Sequence, residues 1–318
     1  MLNRDPISTE ESNPVKVTRA GYVTLVGRPN AGKSTLLNQV VGEHLSIVTP
    51  KAQTTWQRVT GILSVETDQM IFLDTPGLLE AKDMLQRAML GAALEALAEA
   101  DIAILLIDST TKPNARETAS TIEVLKEIKA PLYIALNKVD IADEESIQAW
   151  EVWANRELSG SVYRLSSLTG EGTGSLLEGL RAELPVGPFL YPEEDIASDP
   201  VRFFVAELVR ETIFELYHQE IPYSTFCHVE EFRENQDPVY IQVQIFVERE
   251  SQKGILIGKK GGAIRKLGEV SRMKIESFID MRVYLDLWVK PLKAWRKNRI
   301  HLNRLGFRLP ESDEPSTH

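Results

Sequence analysis

A phosphate-binding loop is predicted at Gly27–Thr35, where the sequence fits the pattern G-x-x-x-x-G-K-[ST]. The loop follows the apolar run 21–26 and precedes the amphipathic run 36–41, which is the order strand, turn, helix. Its glycines let backbone N–H groups point at a phosphate, Lys33 adds a positive charge, and Ser34 adds a hydroxyl suited to Mg²⁺. The residues expected to bind a nucleoside triphosphate are Gly27, Asn30, Ala31, Gly32, Lys33, Ser34 and Thr35.

A second phosphate-side motif, Asp74-Thr75-Pro76-Gly77, follows the short apolar run 70–73. A carboxylate at the end of a strand can hold Mg²⁺ through water, and the amide of Gly77 can meet a terminal phosphate. The motif D-x-x-G is common by itself, but its position one strand after the phosphate-binding loop makes the interpretation specific.

A mobile loop is predicted at residues 44–58, because turn formers and polar residues are mixed there and show no helical or strand period. A threonine hydroxyl in this loop can complete the Mg²⁺ shell when a terminal phosphate is present and leave when it is lost. Thr55 is the preferred ligand and Thr54 the alternative. The predicted metal ligands are therefore Ser34, Thr55 and Asp74.

Guanine recognition is predicted at the motif Asn137-Lys138-Val139-Asp140, which ends the apolar run 131–136. The Asp140 carboxylate can accept hydrogen bonds from N1–H and from the 2-amino group of guanine, and adenine offers neither donor. The alkyl stem of Lys138 can lie along the base, and Asn137 can tie the loops together. Backbone amides of Ser166, Ser167 and Leu168 are expected near guanine O6.

The residues that would support hydrolysis are Lys33, Asn30, Thr55 and Gly77, with water as the nucleophile. Leu78 follows Gly77 at the position where many signalling GTPases have a glutamine that orients this water. Because leucine cannot do so, we expect slow intrinsic hydrolysis that a partner or a monovalent cation such as K⁺ accelerates. Asn30 is the expected ligand of that cation.

Two domains are predicted from the change of pattern along the 318 residues. Five apolar strands, each followed by a helix, indicate an α/β domain with a mostly parallel sheet over residues 20–184, with the strand-like run 59–63 beside them. Pro185, Pro188, Pro192 and Pro200 mark a linker over 185–200. The patterns beyond it predict the order α-β-β-α-α-β over 201–307, ending in a basic helix, and the ends 1–19 and 308–318 are expected to be flexible tails.

The second domain contains the turn Gly258-Lys259-Lys260-Gly261 between two predicted helices. In KH domains a G-x-x-G turn lets a nucleic-acid backbone approach closely. The segment 249–308 holds 16 Lys and Arg against 5 Asp and Glu, a net charge of +11 in a chain of net charge −10. We therefore expect Gly258, Lys259, Lys260 and Gly261 to bind RNA. Trp295 could either stack on a base or pack within the C-terminal helix.

Composition excludes several other classes of protein. The single cysteine, Cys227, leaves no internal disulfide and no cysteine pair for zinc. No run approaches the roughly 20 apolar residues of a membrane helix, and residues 1–19 do not read as a signal peptide. A reducing, cytoplasmic location is expected.

Together these motifs resemble the bacterial Era-type GTPases of the translation-factor-related class, over residues 20 to about 307. The resemblance implies an α/β P-loop NTPase domain of Ras-like fold followed by an α+β type II KH domain. It also implies GTP/GDP and Mg²⁺ as ligands, binding to the 3′ region of 16S rRNA and the 30S subunit, peripheral association with the inner membrane, and no DNA partner. A relative with two G domains is disfavoured because the chain has one phosphate-binding loop.

One alternative remains open at this point: a GTP-dependent switch whose KH-like domain docks a protein or an acidic membrane surface. Both hypotheses, RNA binding and docking, depend on the basic charge of the second domain. An ATPase or kinase is disfavoured by Asp140.

Overall fold

The computed structural model describes residues 17–78, 81–126 and 128–309, without the side chains of Arg116 and Glu117. The predicted tails lie outside this part of the chain except for residues 17–19 and 308–309. The described residues form two sheets, one of six strands and one of three, each with its own apolar core.

The first domain is built on a sheet in the order β2-β3-β1-β4-β5-β6. The strands are β1 (Arg19–Gly27), β2 (Val59–Val65), β3 (Asp68–Asp74), β4 (Ile102–Asp108), β5 (Leu132–Asn137) and β6 (Ser161–Arg164). All pairs are parallel except β2 with β3. Because the parallel strands are covered on both faces, they carry nearly continuous apolar runs, which is why the sequence predicts them well.

Five helices follow these strands: α1 (Lys33–Val41), α2 (Met84–Glu99), α3 (Ala115–Leu125), α4 (Glu144–Glu157) and α5 (Thr173–Glu183). The Asp83 side chain caps α2 by accepting from the amide of Gln86, and Asp143 caps α4 in the same way from Ser146. These caps fix where α2 and α4 begin, and the carboxyl ends of β1, β3 and β5 point to one edge of the sheet.

The linker segment, residues 185–199, lies in an extended path along the first domain. The amide of Ile62 donates to the carbonyl of Ile196 at 2.8 Å, and the amide of Thr60 donates to the Asp199 carboxylate at 3.0 Å. Farther along, the Gln69 side chain accepts from the amides of Leu190 and Tyr191. The prolines explain the lack of regular structure, but these hydrogen bonds hold the segment against β2 and β3.

The second domain has a three-stranded sheet in the order β7-β8-β9, with β7 antiparallel and β9 parallel to β8. Its elements are α6 (Val201–Leu216), α7 (Ile221–Ser224), β7 (Phe226–Arg233), β8 (Val239–Val247), α8 (Glu250–Ile257), α9 (Gly262–Ile279) and β9 (Val283–Pro291). The observed order is the predicted one with the short helix α7 added. Alternate residues of β8, from Val239 to Val247, are buried beneath the helices.

The C-terminal segment, residues 292–307, differs from the single basic helix that the sequence predicts. It contains a 3₁₀ turn at Trp295–Lys297 and the six-residue helix α10 (Arg299–Arg304). Trp295 is completely buried and donates its indole N–H to the carbonyl of Ser224 at 3.1 Å. It therefore packs in a core and has no free face for a base.

A core between the two domains, here named the bridging cluster, surrounds Trp295. Its buried members are Trp56, Leu85, Ala88, Met89, Phe226, Trp295, Leu302 and Phe307. Trp56 lies 5.7 Å from Trp295 between ring centroids. Residues of the first domain and of the C-terminal segment thus share one apolar cluster.

Candidate nucleotide-binding site

A cleft of about 490 Å³ opens at the edge of the six-stranded sheet where the predicted motifs converge. The predicted residues that line it are Asn30, Gly32, Lys33, Ser34, Thr35, Thr54, Thr55, Gly77, Asn137, Lys138, Asp140, Ser166, Ser167 and Leu168. This convergence follows from the fold, because the carboxyl ends of neighbouring parallel strands meet at one edge. The structure thus brings the phosphate-side and base-side motifs into one cavity.

The phosphate-binding loop is curled as a glycine-dependent turn. Gly32 has φ = 101°, and a Cβ there would lie 2.1 Å from Nδ2 of Asn137. The Lys33 ammonium donates to the carbonyls of Gly27 and Arg28 at 3.2 and 3.1 Å. Burial lowers the pKa of Lys33 to about 8, against the opposing attraction of Asp74. A bound phosphate would add the negative charge that favours the ammonium form.

At the metal end of the cleft, three hydroxyl groups donate to one carboxylate oxygen. Oδ2 of Asp74 lies 2.7 Å from Oγ of Ser34, 3.0 Å from Oγ of Ser46 and 3.4 Å from Oγ1 of Thr55. Oδ1 of Asp74 is buried and has no hydrogen-bond partner among the described residues. Burial raises the pKa of Asp74, while Lys33 and the three hydroxyls oppose that rise.

This donor set fits a hard divalent cation, because Mg²⁺ prefers oxygen ligands and would relieve the unpartnered Asp74 oxygen. Thr55 is the threonine that points to the site, with its hydroxyl 3.0 Å from that of Ser34. Thr54 presents its carbonyl to Arg210 of the second domain. Ser46 was not predicted as a site residue, since nothing in its spacing distinguishes it from other loop hydroxyls.

The base end of the cleft is held together by Asn137. Its Nδ2 donates to the carbonyl of Ala31 at 2.7 Å, and its Oδ1 accepts from the amide of Ser167 at 2.8 Å. The Asn137 side chain therefore joins the phosphate-binding loop to the loop 166–168, which agrees with the prediction that Asn137 links the loops of the site.

The neighbouring Lys138 has φ = 67° and pairs with Asp108 at 2.5 Å. Burial disfavours the Asp108 carboxylate, but hydrogen bonds from Lys138 and Thr110 outweigh burial and lower its pKa. Asp140 is exposed at the mouth of the cleft, where its carboxylate is free to meet a ligand.

Leu78 has a structural position in place of a catalytic one. Its side chain is buried in the core with Val26 and Leu97, and its amide donates to the carbonyl of Gly27 at 3.0 Å. Leu78 itself therefore offers no polar side-chain group that could orient a water. Gly77 packs so closely on Pro29 that a Cβ would lie 2.7 Å from the Pro29 nitrogen.

The Asn30 side chain contacts the loop 44–58. Its Nδ2 donates to the carbonyl of Pro50 at 3.2 Å.

That loop, residues 44–58, is here named the switch loop, and it is held by the second domain. Arg210 of α6 donates to the carbonyl of Thr54, and its guanidinium lies 4.7 Å from the ring centroid of Trp56. The Arg210 side chain is only 1% exposed. The Lys51 ammonium donates to the carbonyls of Phe214 and Tyr217 at the end of the same helix.

An ion pair adds to this contact at the start of the switch loop. Nε2 of His44 lies 2.9 Å from Oε1 of Glu211, and the Lys274 ammonium of α9 lies 2.8 Å from Oε2. The hydrogen bond to Glu211 raises the pKa of His44, against a lowering by burial. Burial disfavours the Glu211 carboxylate, but its bonds to His44 and Lys274 lower its pKa overall.

The predicted RNA-binding turn lies in the second domain between α8 and α9. Lys259 and Lys260 are exposed, and Lys260 has φ = 52° in the left-handed region. Gly258 and Gly261 also have positive φ values, 69° and 75°. The turn therefore presents two ammonium groups to solvent on a tight backbone.

The fold and cleft define a P-loop GTPase domain joined to a KH domain. A family model described as a 50S ribosome-binding GTPase matches residues 22–138, and a KH-domain model matches residues 220–296. GTPase Era of Geobacter metallireducens is 38% identical over 292 residues, which cover 91% of this chain and 98% of that protein. GTPase Era of Mesorhizobium japonicum is 40% identical, covering 94% and 97%.

Two solved structures of Era are also similar over 92% of this chain and all of theirs, at 34% identity. One, with a TM-score of 0.87, is Era in complex with MgGDPNP and nucleotides 1506–1542 of 16S ribosomal RNA. The other, with a TM-score of 0.85, is an Aquifex aeolicus Era variant bound to GDP and AlF₄⁻. The chain belongs to the Era family of GTPases. The predicted fold class and GTPase activity are thereby confirmed.

Proposed function

We propose that this chain is a magnesium-dependent GTP switch that binds the 3′ region of 16S rRNA through its KH domain and acts in biogenesis of the 30S subunit. The observation that carries the proposal is the full-length similarity to an Era bound to both a GTP analogue and a 16S rRNA segment. The basic segment 249–308 and the exposed turn Gly258–Gly261 support the RNA part.

In this proposal the hydroxyls of Ser34 and Thr55 and, through water, the carboxylate of Asp74 would hold Mg²⁺. When bound, the cation supplies positive charge to the β- and γ-phosphates. Lys33 and the amides of the phosphate-binding loop neutralise charge that develops on the transferred group, and the Gly77 amide meets the terminal phosphate. Water attacks the γ-phosphorus, the bond from that phosphorus to the β–γ bridging oxygen breaks, and GDP leaves with that oxygen. The protons of the water pass to the phosphate product and to solvent.

Selectivity for guanine rests on Asp140. Its exposed carboxylate accepts from N1–H and from the 2-amino group of the base, while the Lys138 stem lies along the ring. The loop Ser166–Leu168 lines the same end of the cleft. The amides of Ser166 and Ser167 donate to Glu171 and Asn137, so the amide of Leu168 is the one proposed to meet guanine O6. A site that is built for these donors rejects adenine because its carboxylate would be left unpaired.

Hydrolysis is proposed to use a monovalent cation, since Leu78 is buried and orients no water. The Asn30 side chain lies between the phosphate-binding loop and the switch loop, where a K⁺ beside the phosphates would add charge. The rate of GTP hydrolysis in about 100 mM K⁺ is expected to exceed the rate in the same concentration of Na⁺ by about tenfold or more. This is the size of effect expected when one more positive charge stabilises the transition state. Equal rates in the two salts would sink the cation proposal.

The RNA part is tested with the double variant Lys259→Ala, Lys260→Ala. Its affinity for a labelled RNA of nucleotides 1506–1542 is expected to fall, and the slope of log affinity against log salt to become shallower by about 1 to 2. The matched control is Lys126→Ala with Lys129→Ala, which removes the same charge from exposed positions of the first domain. Unchanged RNA affinity in the test variant would instead favour docking of a protein or an acidic membrane.

A cytoplasmic location with peripheral contact at the inner membrane belongs to the same proposal. Within the described residues, none of the helices combines the length and apolar character that crossing a bilayer requires.

A further inference from the structure

The three-stranded sheet of the second domain has one face turned away from its helices. Odd-numbered residues of β8 are buried in the core, so even-numbered residues point to the opposite face. The outer residues of the paired strands β8 and β9 are Tyr240, Gln242, Gln244, Phe246, Tyr284, Asp286, Trp288 and Lys290. This face is open to solvent over part of its area.

The two halves of that face differ. At one end, Phe226 and Phe246 pack against the bridging cluster, with the Phe226 ring 5.9 Å from that of Trp295. Tyr284, at the other end, is 60% exposed, and Trp288, which pairs with Gln244, is 50% exposed. The C-terminal segment thus covers the Phe226 and Phe246 end of the face and leaves the aromatic rings of the edge strand β9 uncovered.

The uncovered rings are held in fixed orientations. The rings of Tyr240 and Tyr284 are 5.9 Å apart and within 16° of parallel. The Tyr240 hydroxyl donates to Oδ2 of Asp286 at 3.1 Å, and the indole N–H of Trp288 donates to the same oxygen at 2.8 Å. Tyr240 lies between Tyr284 and the Arg233 guanidinium, whereas Tyr284 and Trp288 are exposed. The rings presented to a ligand are therefore those of Tyr284 and Trp288.

Cations lie at both ends of this row of rings. The Arg233 guanidinium, which pairs with Glu231 at 2.6 Å, is 4.9 Å from the Tyr240 centroid, and the Lys290 ammonium is 6.0 Å from the Trp288 centroid. Asp286 lies between Tyr284 and Trp288 on β9, and Gln242 follows Tyr240 on β8, so the surface is not one continuous apolar patch of the kind that marks protein interfaces. Fixed aromatic rings between cations on an open sheet are the arrangement with which proteins stack single-stranded bases.

We propose that Tyr284 and Trp288 stack unpaired bases of RNA at a second contact separate from the turn Gly258–Gly261, with Tyr240 supporting Tyr284. The rings of Tyr240, Tyr284 and Trp288 are here named the aromatic row. The inference rests on the proposed RNA-binding function. The turn joins α8 and α9, which pack on the inner face of the sheet, whereas the aromatic row lies on the outer face. One RNA that reaches both surfaces gains affinity by holding two sites at once.

The test compares variants of the full chain in binding a labelled RNA of nucleotides 1506–1542. Trp288→Ala is expected to weaken binding by about 5- to 100-fold, the loss that follows from removing one stacked base. Trp288→Phe keeps a ring and is expected to restore most of the affinity, while Trp288→Leu keeps apolar bulk without a ring and is expected to resemble Trp288→Ala. Equal affinity of Trp288→Leu and Trp288→Phe would overturn the inference.

A second measurement separates this inference from the proposed function. Lys259→Ala with Lys260→Ala is tested beside Trp288→Ala, with melting temperatures checked for each. If the double lysine variant weakens RNA binding and Trp288→Ala does not, the aromatic row is excluded as an RNA contact and the proposed RNA-binding function stands. If the chain does not bind the RNA at all, both fail. Photocrosslinking of RNA containing 4-thiouridine is expected to label the peptide 283–291, and labelling confined to residues 250–266 would overturn the inference.

Discussion

The two ends of the nucleotide cleft are positioned by different parts of the molecule. At the base end, Asn137 joins Ala31 to Ser167, and all three residues belong to the first domain. At the phosphate end, the switch loop is held by Arg210 and Glu211 of the second domain. The difference implies that base recognition is complete within one domain, whereas placement of the switch loop depends on both.

This division has a thermodynamic consequence. If a bound γ-phosphate moves the switch loop, the contacts of Arg210 and Glu211 change with it, and by reciprocity the second domain alters the affinity for that phosphate. Substitutions that remove contacts at the base end should therefore lower the affinity for all guanine nucleotides alike. Substitutions that remove the contacts between the switch loop and the second domain should change the preference between GTP and GDP.

The largest expected effect is at the base end. Asp140→Ala removes two charge-assisted hydrogen bonds to guanine, so GTP and GDP affinities are both expected to fall by about 10²- to 10⁴-fold. Isothermal titration calorimetry measures both. Asp143→Ala is a matched control, because it removes a nearby carboxylate that caps α4 and lies outside the cleft lining. A loss for GTP but not for GDP would contradict the division proposed here.

A smaller effect is expected from Arg210→Met, which keeps much of the apolar stem and removes both the bond to the Thr54 carbonyl and the ion pair with Glu207. Because the contact is buried, the free energy of unfolding is expected to fall by about 1–3 kcal/mol. The ratio of affinities for a GTP analogue and GDP should shift by about tenfold, and guanine selectivity should not change. Arg282→Met, at an exposed ion pair, is the control. An unchanged affinity ratio would show that α6 does not sense the switch loop.

The smallest effect concerns His44 and depends on pH. Its pKa is raised in the folded protein above about 6.5, so its pairing with Glu211 stabilises fully below that pH and is lost as pH rises through the folded-state pKa. Lys274 and Glu215 also face the pair. The melting temperature of His44→Gln should therefore lie below that of the parent at pH 6, and the difference should shrink as pH rises through the folded-state pKa of His44. A difference that stays constant with pH would show that the charged pair does not contribute.

Much of this site could be predicted from sequence because its residues lie in short motifs with fixed spacing. The loop 27–35 needs glycines at set positions, and Asn137 and Asp140 follow a buried strand directly. Element boundaries were within a few residues for the same reason, since apolar periods and caps such as Asp143 are local.

The remaining features were not predictable because they depend on contacts between distant residues. Arg210 and Thr54 are 156 residues apart, and a buried arginine on an amphipathic helix has no spacing that reveals its partner. The sequence allows Trp295 either to stack on a base or to pack, and only the tertiary structure shows that it is buried. The basic C-terminal helix was wrong in extent, because packing of the bridging cluster breaks that segment into a turn and a short helix.

The linker segment also affects how this protein behaves toward other copies of itself. β2 is the outermost strand of its sheet, and an uncovered outer strand offers unpaired backbone groups to which another chain can add a strand. The amides of Ile62 and Thr60 are instead occupied by Ile196 and Asp199. At the opposite edge, β6 has only four residues. The path that connects the domains thus also protects the GTPase sheet from strand addition and aggregation.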